Sequence, residues 1–409
     1  MAIISAFRAL RPEKDLAPKV ASLPYDVLNS AEARVLGDKN PYSFLHITKS
    51  EIDLPEDTDV HSDKVYHKAA DNLFIFRDNK ILIQDEKPAY YIYELTMGGR
   101  KQTGLVCVSS VSDYENNIIK KHELTRPEKE LDRINHMRII GAQTGNVFLA
   151  YKSNVSLSQL INTWKDAHEA VYDFIADDGV GHRVWVVHDP QTVLEITQIF
   201  HKQIPFTYIA DGHHRAASAA KVKKALGQDA SPDASYFLTT LFPSDELRIM
   251  DYNRLVKDLN GLDVNSFLQK LNKDFRVEKL NAAYSPSGLH NFGMYLGGIW
   301  YCLEAKENTF PNDPIGILDV SILQENLLSP ILGIRDQRTD SRIDFVGGIR
   351  GLKELEKRVD SGLMKVAFSL YPVSMDQLFD IADSGEIMPP KSTWFEPKLR
   401  DGLLTHLIR

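Results

Sequence analysis

One stretch constrains this chain more than any other. Pro205-Phe206-Thr207-Tyr208-Ile209-Ala210 is an apolar, β-rich run that passes directly into Asp211-Gly212-His213-His214-Arg215. The residues that follow, Ala216 to Leu226, are rich in Ala and Lys and stop at Gly227. High helix propensity closed by a glycine predicts a helix there. A strand must therefore become a helix within about three residues, and Gly212 is the residue that lets the backbone turn that tightly. The first turn of such a helix presents main-chain N–H groups and the positive end of the helix dipole, which together favour an anion. His214 and Arg215 add side-chain donors, and the Arg fork suits phosphate. Asp211 is placed to cap the helix or to orient a histidine. Adjacent histidines at a helix start point in different directions, so they read poorly as a metal pair.

The surrounding pattern sets the fold class. Hairpins are expected at Ala89 to Val111, around Gly98-Gly99, and at Asn291 to Glu304, around Gly297-Gly298. Strands are expected at 147–151, 183–187, 235–242 and 366–370, and helices at 62–74, 157–164, 191–202, 264–271, 320–332 and 375–382. The segment from Glu51 to His61 is acidic and reads as an exposed loop. This mixture predicts an α+β protein, with one domain over 1–250 and a smaller α+β unit over 251–409.

Bulk properties narrow the function classes. With 409 residues, 43% hydrophobic and 25% charged, the chain can build a sizeable core. Its net charge of −8 argues against nucleic acid as a partner. The two cysteines, Cys107 and Cys302, lie in separate apolar runs, so neither a disulfide scaffold nor a cysteine zinc site is expected. No stretch reads as a signal peptide or approaches 18 apolar residues, which predicts a cytoplasmic protein with no membrane partner.

Other residues could carry chemistry. Lys121-His122-Glu123-Leu124-Thr125 precedes a helix; Thr125 and Glu128 form a capping-box pattern that leaves Lys121, His122 and Glu123 unexplained. Asp26, in the Pro24-Tyr25-Asp26 turn, could hold a metal ion or a substrate amine, or simply cap the next helix. Thr144-Gly145-Asn146 could be a donor loop or a plain turn. Lys391-Ser392-Thr393 sets a lysine beside two hydroxyls, which suits phosphate, although the Walker glycines are missing. The alternative for that tail is packing of Trp394 and Phe395.

The Tyr208–Ser218 stretch resembles the phosphate-binding motif of the ParB/sulfiredoxin-like fold. That superfamily includes chromosome-partitioning CTP-binding proteins, sulfiredoxin, and ADP-dependent free-serine kinases. Nearly end to end, the chain resembles the bacterial family known as domain of unknown function 1015. The resemblance runs through Leu23-Pro24-Tyr25-Asp26-Val27, Asn40-Pro41, Lys121 to Thr125, Gly141-x-x-Thr144-Gly145-Asn146, and Pro389-Pro390-Lys391-Ser392-Thr393-x-Phe395-x-Pro397-Lys398. It implies a ParB/sulfiredoxin-like core elaborated with hairpins. Sulfiredoxin chemistry needs a cysteine where this chain has His213, and the partitioning proteins carry Glu-Arg-Arg in the turn and a DNA-reading segment. The serine kinases share this style of turn, so the resemblance implies phosphoryl transfer between a nucleotide, ATP or ADP with Mg²⁺, and an amino-acid-like hydroxyl. Glu123 is then the general base, with His122 and His213 beside it. Asp211, Gly212, His214, Arg215, Lys391, Ser392 and Thr393 would bind nucleotide or phosphate, and Asp26, Thr144 and Asn146 the substrate. A non-catalytic nucleotide-binding regulatory module and a phosphoester hydrolase are the alternatives. Metal ligands and oligomeric state cannot be read from the sequence.

Overall fold

The computed structural model describes residues 1–125 and 127–409. The fold is α+β, in two compact units: Met1–Leu247 together with Pro397–Arg409, and Arg248–Glu396. The second unit is thus an insertion in the first, and the last thirteen residues return to the unit in which the chain began. The sequence pattern had grouped 251–409 together.

The first unit is organised by a nine-stranded sheet. Its strands are Ile4–Ser5 (β1), Tyr90–Met97 (β2), Arg100–Ser110 (β3), Ile119–Lys120 (β4), Val147–Tyr151 (β5), Tyr172–Ile175 (β6), Gly181–Val187 (β7), Thr207–Asp211 (β8) and Tyr236–Pro243 (β9). The order across the sheet is β4-β8-β5-β9-β3-β2-β7-β6, with β1 paired to β3. Pairing is mixed: β8 runs parallel to β4 and antiparallel to β5, while β9 runs parallel to β5. Strands β5 and β9 read as continuous apolar runs because both faces are covered, and nearly every residue in them is buried. The β2–β3 hairpin turns at Gly98 and Gly99, both in the left-handed region, as the paired glycines predicted.

Five helices of this unit matter here: Asp63–Asp78 (α1), Pro127–Ile140 (α2), Val155–Ala167 (α3), Pro190–Gln203 (α4) and His213–Leu226 (α5). Helices α3 and α4 start on side-chain caps, Asn154 to the Leu157 N–H at 3.0 Å and Asp189 to the Thr192 N–H at 2.8 Å. Helix α5 starts differently, on Gly212 at φ 97°, with no side chain to cap it. Its apolar face, Ala216, Ala219, Ala220 and Val222, is buried in the same cluster as Val147, Leu149 and Ile209 of the sheet. Small alanines let the helix approach closely. The acidic segment is not all exposed loop: Glu51 and Ile52 lie in a buried 3₁₀ turn, where Glu51 takes hydrogen bonds from Ser30 at 2.8 Å and an ion pair from Lys49 at 3.1 Å.

The second unit is a six-stranded, wholly antiparallel sheet. Its strands are Tyr252–Val256 (β10), Phe275–Leu280 (β11), Asn291–Leu296 (β12), Ile299–Ala305 (β13), Ile343–Gly347 (β14) and Val366–Leu370 (β15), in the order β11-β13-β12-β15-β10-β14. Helices Val264–Leu271 (α6), Gly351–Asp360 (α7) and Met375–Ser384 (α8) accompany it. The helix expected over 320–332 is shorter. It runs as an α-helix over Asp319–Leu323, widens to a π turn over Gln324–Leu328, and ends before Pro330, which has no N–H to continue the ladder. Cys107 is buried and Cys302 half-buried, and neither is in a disulfide.

Candidate functional site

The site is built where β8 meets α5. Against β5 the register of β8 slips between Ile209 and Asp211, so a bulge at Ala210 sits one residue before the turn. Such a bulge re-aims the next side chain. Gly212 follows, and two observations require it to be glycine. Its φ is positive, and a Cβ there would stand 3.1 Å from Arg215 Nε and 3.2 Å from Arg215 Cζ. The glycine thus makes room for the guanidinium as well as for the turn.

Arg215 is turned inward. Only 6% exposed, it donates from one terminal nitrogen to the Asn146 carbonyl, and the other lies 3.5 Å from Asp211 Oδ1 and 3.6 Å from Asp26 Oδ2. Its Nε–H has no hydrogen-bond partner. Burial opposes its charge, but Asp26 and Asp211 outweigh burial and hold it firmly protonated. Asp211 is flanked on its other side by Lys398, whose Nζ is 3.2 Å from Oδ2. Burial disfavours the Asp211 carboxylate, yet Lys398 and Arg215 overcome this and hold it well below the usual carboxylate range.

His213, the first residue of α5, is buried, with Nδ1 3.8 Å from Glu123 Oε2 and Nε2 unpartnered. The His122 ring packs edge-on against it, with centroids 4.5 Å apart. His122 is 2% exposed and neither of its ring nitrogens has a partner. Burial pushes His122 down to about 4, and burial with the neighbouring His122 pushes His213 well below its ordinary value. Both rings are therefore neutral at pH 7. Glu123 is different: its side chain is 46% exposed, at the mouth of this pair. The arrangement is a solvent-facing carboxylate and, behind it, a neutral imidazole that is itself the first residue of a helix.

The remaining expected residues fall in three places. Asn146 joins the site through its carbonyl, and its side-chain oxygen accepts from Thr240 at 3.2 Å. Thr144 and Gly145 line a cavity of about 20 Å³, with Tyr25, Arg133 and Arg215, which is room for about one water. His214 is half-buried and close enough to Glu130 to favour its ionised form. Lys391, Ser392 and Thr393 lie in the second unit, in the turn before Trp394. There the Lys391 ammonium stands over the Tyr252 ring at 5.6 Å, and the Ser392 hydroxyl donates to the Pro389 carbonyl at 2.6 Å. Thr125 donates to Glu130 from just ahead of Pro127, where α2 begins. Its neighbours Lys120 and Lys121 sit over Phe206 and Tyr114, at 4.4 and 4.2 Å.

Sequence reading missed three contributors. Arg133 lies 4.0 Å over the Tyr25 ring and pairs with Asp132 at 2.6 Å, which fixes the Pro24–Asp26 turn from behind. Lys398 was visible only as the last residue of a motif, and Asp401 carried no signal at all. Among the described residues no group of three or more His, Cys, Asp or Glu is arranged to hold a metal ion, and no helix is long and apolar enough to cross a membrane.

The chain belongs to the protein family of unknown function DUF1015, whose model matches residues 4–321. No curated protein matches it. Among solved structures, a conserved hypothetical protein from Pyrococcus furiosus is similar at 15% identity and a TM-score of 0.37, over 74% of this chain and 94% of that one. A free serine kinase in complex with AMP is similar at 13% identity and a TM-score of 0.37, over 74% and 91%. SbnI from Staphylococcus aureus, with a C-terminal truncation, is similar at 12% identity and a TM-score of 0.33, over 74% and 87%. TM-scores this low carry no argument about the chemistry of this chain.

Proposed function

We propose that this protein is a small-molecule phosphotransferase, moving a phosphoryl group between ATP or ADP and the hydroxyl of an amino-acid-like compound at the start of α5. The supporting observation is the buried His122–His213 pair, with ring nitrogens left unpartnered at a helix N-terminus and the exposed Glu123 carboxylate 3.8 Å from His213. A buried polar group without a partner is costly, so it is kept where a ligand completes it. Phosphoryl transfer asks the protein chiefly for positioning, charge neutralisation and a base, and each has a candidate here.

In this reading the first-turn N–H groups of α5, with His213 and His214, receive the phosphoryl oxygens. Gly212 keeps the approach open. Arg215 sets the field from behind, because its fork is already committed to Asn146, Asp26 and Asp211. Glu123 aligns the attacking hydroxyl and takes its proton. Two carboxylates, Asp26 and Asp211, converge on one guanidinium, and Mg²⁺ characteristically takes one or two carboxylates beside the phosphates. Both are already paired with Arg215, and Asp211 with Lys398 as well, so they do not fit a Mg²⁺ site of their own, and the Mg²⁺ of this reading would be carried by the nucleotide, whose phosphate charge it would neutralise. Thr144 and Asn146 flank the substrate side. The same reading takes the β8–α5 turn and its sheet as a ParB/sulfiredoxin-like core.

The test incubates the full-length protein with L-serine and labelled ATP or ADP and measures phosphoserine, with nucleotide binding followed by calorimetry. Turnover that depends on Glu123 supports the proposal. Nucleotide binding with no transfer to serine or related hydroxy amino acids would leave a regulatory nucleotide-binding module instead. Loss of nucleotide in the absence of acceptor would indicate a hydrolase.

A further inference from the structure

We infer that Lys398 and Asp401, supplied by the chain's last segment, are positioning residues of the α5 site: Lys398 fixes Asp211, and Asp401 fixes Arg215 together with the Pro24–Asp26 turn. The inference rests on the phosphoryl-transfer reading and adds two side chains to that site. Both lie beyond residue 321, where the family match ends.

Asp401 touches three chain segments that carry site residues. Its main chain pairs with Ser22 in both directions: the Ser22 N–H donates to its carbonyl at 3.0 Å, and its own N–H donates back at 2.9 Å. That anchors the segment three residues ahead of Tyr25, whose N–H donates to the Asp401 carboxyl. On another side, a Cβ at Gly145 would stand 3.6 Å from Asp401 Oδ1 and 3.2 Å from Arg215 Cδ. The carboxyl, the stem of Arg215 and the bare Cα of Gly145 therefore occupy adjoining space, next to the Asn146 carbonyl that Arg215 holds. Asp401 is 1% exposed, and its Oδ2 has no partner. An unpartnered buried oxygen costs stability that a purely structural tie would avoid.

The charge distribution gives each residue its task. Burial pushes the Asp401 carboxyl up to about 8, with Arg215 opposing the shift, Asp26 adding to it and Arg133 opposing. Asp401 is thus protonated at neutral pH and adds no negative charge where phosphate is to bind. Asp211, by contrast, is ionised, compensated first by Lys398 and next by Arg215. Without Lys398, the largest part of that compensation goes, and an excess negative charge faces the incoming anion. At a few ångströms such a charge is only weakly screened in a partly buried setting.

The experiment uses the full chain, with K398Q, K398R, D401N, D211N and the double variant D211N/K398Q, each checked for an intact thermal transition. A first arm needs no ligand: the His213 ring nitrogens are titrated by NMR. Removing Lys398 leaves Asp211 less compensated, so the His213 pKa rises in K398Q and returns in K398R. A second arm measures ADP by calorimetry. K398Q weakens ADP on the order of tenfold, K398R restores most of it, and D211N/K398Q binds no worse than D211N, because Lys398 acts through Asp211. Wild-type affinity falls as pH rises through about 8, and D401N loses that dependence; should D401N fail to fold, the wild-type profile alone decides for Asp401. If wild type binds ADP while K398Q and D401N match it in affinity and pH profile, the inference is overturned. If wild type does not bind ADP, the function reading falls, and an unchanged His213 titration then overturns this inference separately.

Discussion

The carboxyl end of β8 and the surface around α7 handle charge in opposite ways. Around α7, arginines pair with acids near them in sequence and in solvent: Arg358 with Glu354 at 2.8 Å and with Asp344 at 2.6 Å, and Arg342 with Asp340 at 2.8 Å. Those side chains are 20% to 47% exposed. At the end of β8 most partners come from far apart in sequence, the basic groups Arg215, His122 and His213 are buried while Asp26, Asp211 and Glu123 are 34% to 46% exposed, and several atoms are left over: both His122 nitrogens, His213 Nε2, Arg215 Nε and Asp401 Oδ2. The second unit has buried charge too, in Arg254, which donates to the carbonyls of Tyr252 and Lys391 and also has its Nε left over, but among the described residues no carboxylate converges on it, and burial lowers it to about 10. The lesson is that pairing alone does not mark a site; buried polar groups converging with capacity unspent do.

Four measurements would break or sharpen this comparison. The largest effect is expected for Glu123→Gln, which should lower turnover about 10²- to 10⁴-fold, the usual contribution of a general base, and leave ADP affinity unchanged. Unaltered turnover would remove Glu123 from the mechanism. Next is Gly212→Ala, which forces a side chain into a positive-φ position and against the Arg215 guanidinium. It should destabilise the protein by about 1–2 kcal/mol or more in denaturant melts, and a wild-type midpoint would show that the turn tolerates a Cβ.

The third concerns pH. The folded Asp401 carboxyl titrates near 8, far above an unfolded aspartate, so between about pH 4 and pH 8 the folded state holds a proton that the unfolded chain has released. Stability contributed by that proton is complete at low pH and is lost as pH rises through this window. Asp401→Asn should flatten the decline, making the variant relatively more stable at pH 8 than at pH 5. His122 works with the opposite sign: held near 4, it resists protonation, so its contribution is lost as pH falls from about 6.5. The smallest effect is expected from Arg358→Ala, since an exposed pair is worth less than about 1 kcal/mol. A change in turnover in that variant would mean that the surface pairs are not the passive region of the comparison.

Much of the fold was legible because its signals are local. The hairpin at Gly98-Gly99 announced itself through alternating strands and paired glycines, and the β8–α5 turn through an apolar run, one glycine and an alanine-rich helix. The helix expected to reach 332 was misjudged because its apolar residues continue past Pro330, and composition outvoted the one residue that stops the ladder. The site was half legible. His122, Glu123 and His213 drew notice as residue types, but that the His122 and His213 rings meet edge to face depends on β4 and β8 being parallel neighbours, which no local pattern states. Arg215 looked like an outward clamp, and its burial follows from carboxylates at positions 26 and 211.

The sequence by itself determined the turn at Asp211 and the anion-favouring helix start, since both follow from the backbone freedom of Gly212 and the dipole of the helix after it. Only the tertiary structure decided which charges meet there. Lys398 reaches Asp211 across 187 positions of sequence, after the chain has left for the second unit and come back. Electrostatic energy depends on distance in space and on burial, and neither is written in the order of residues.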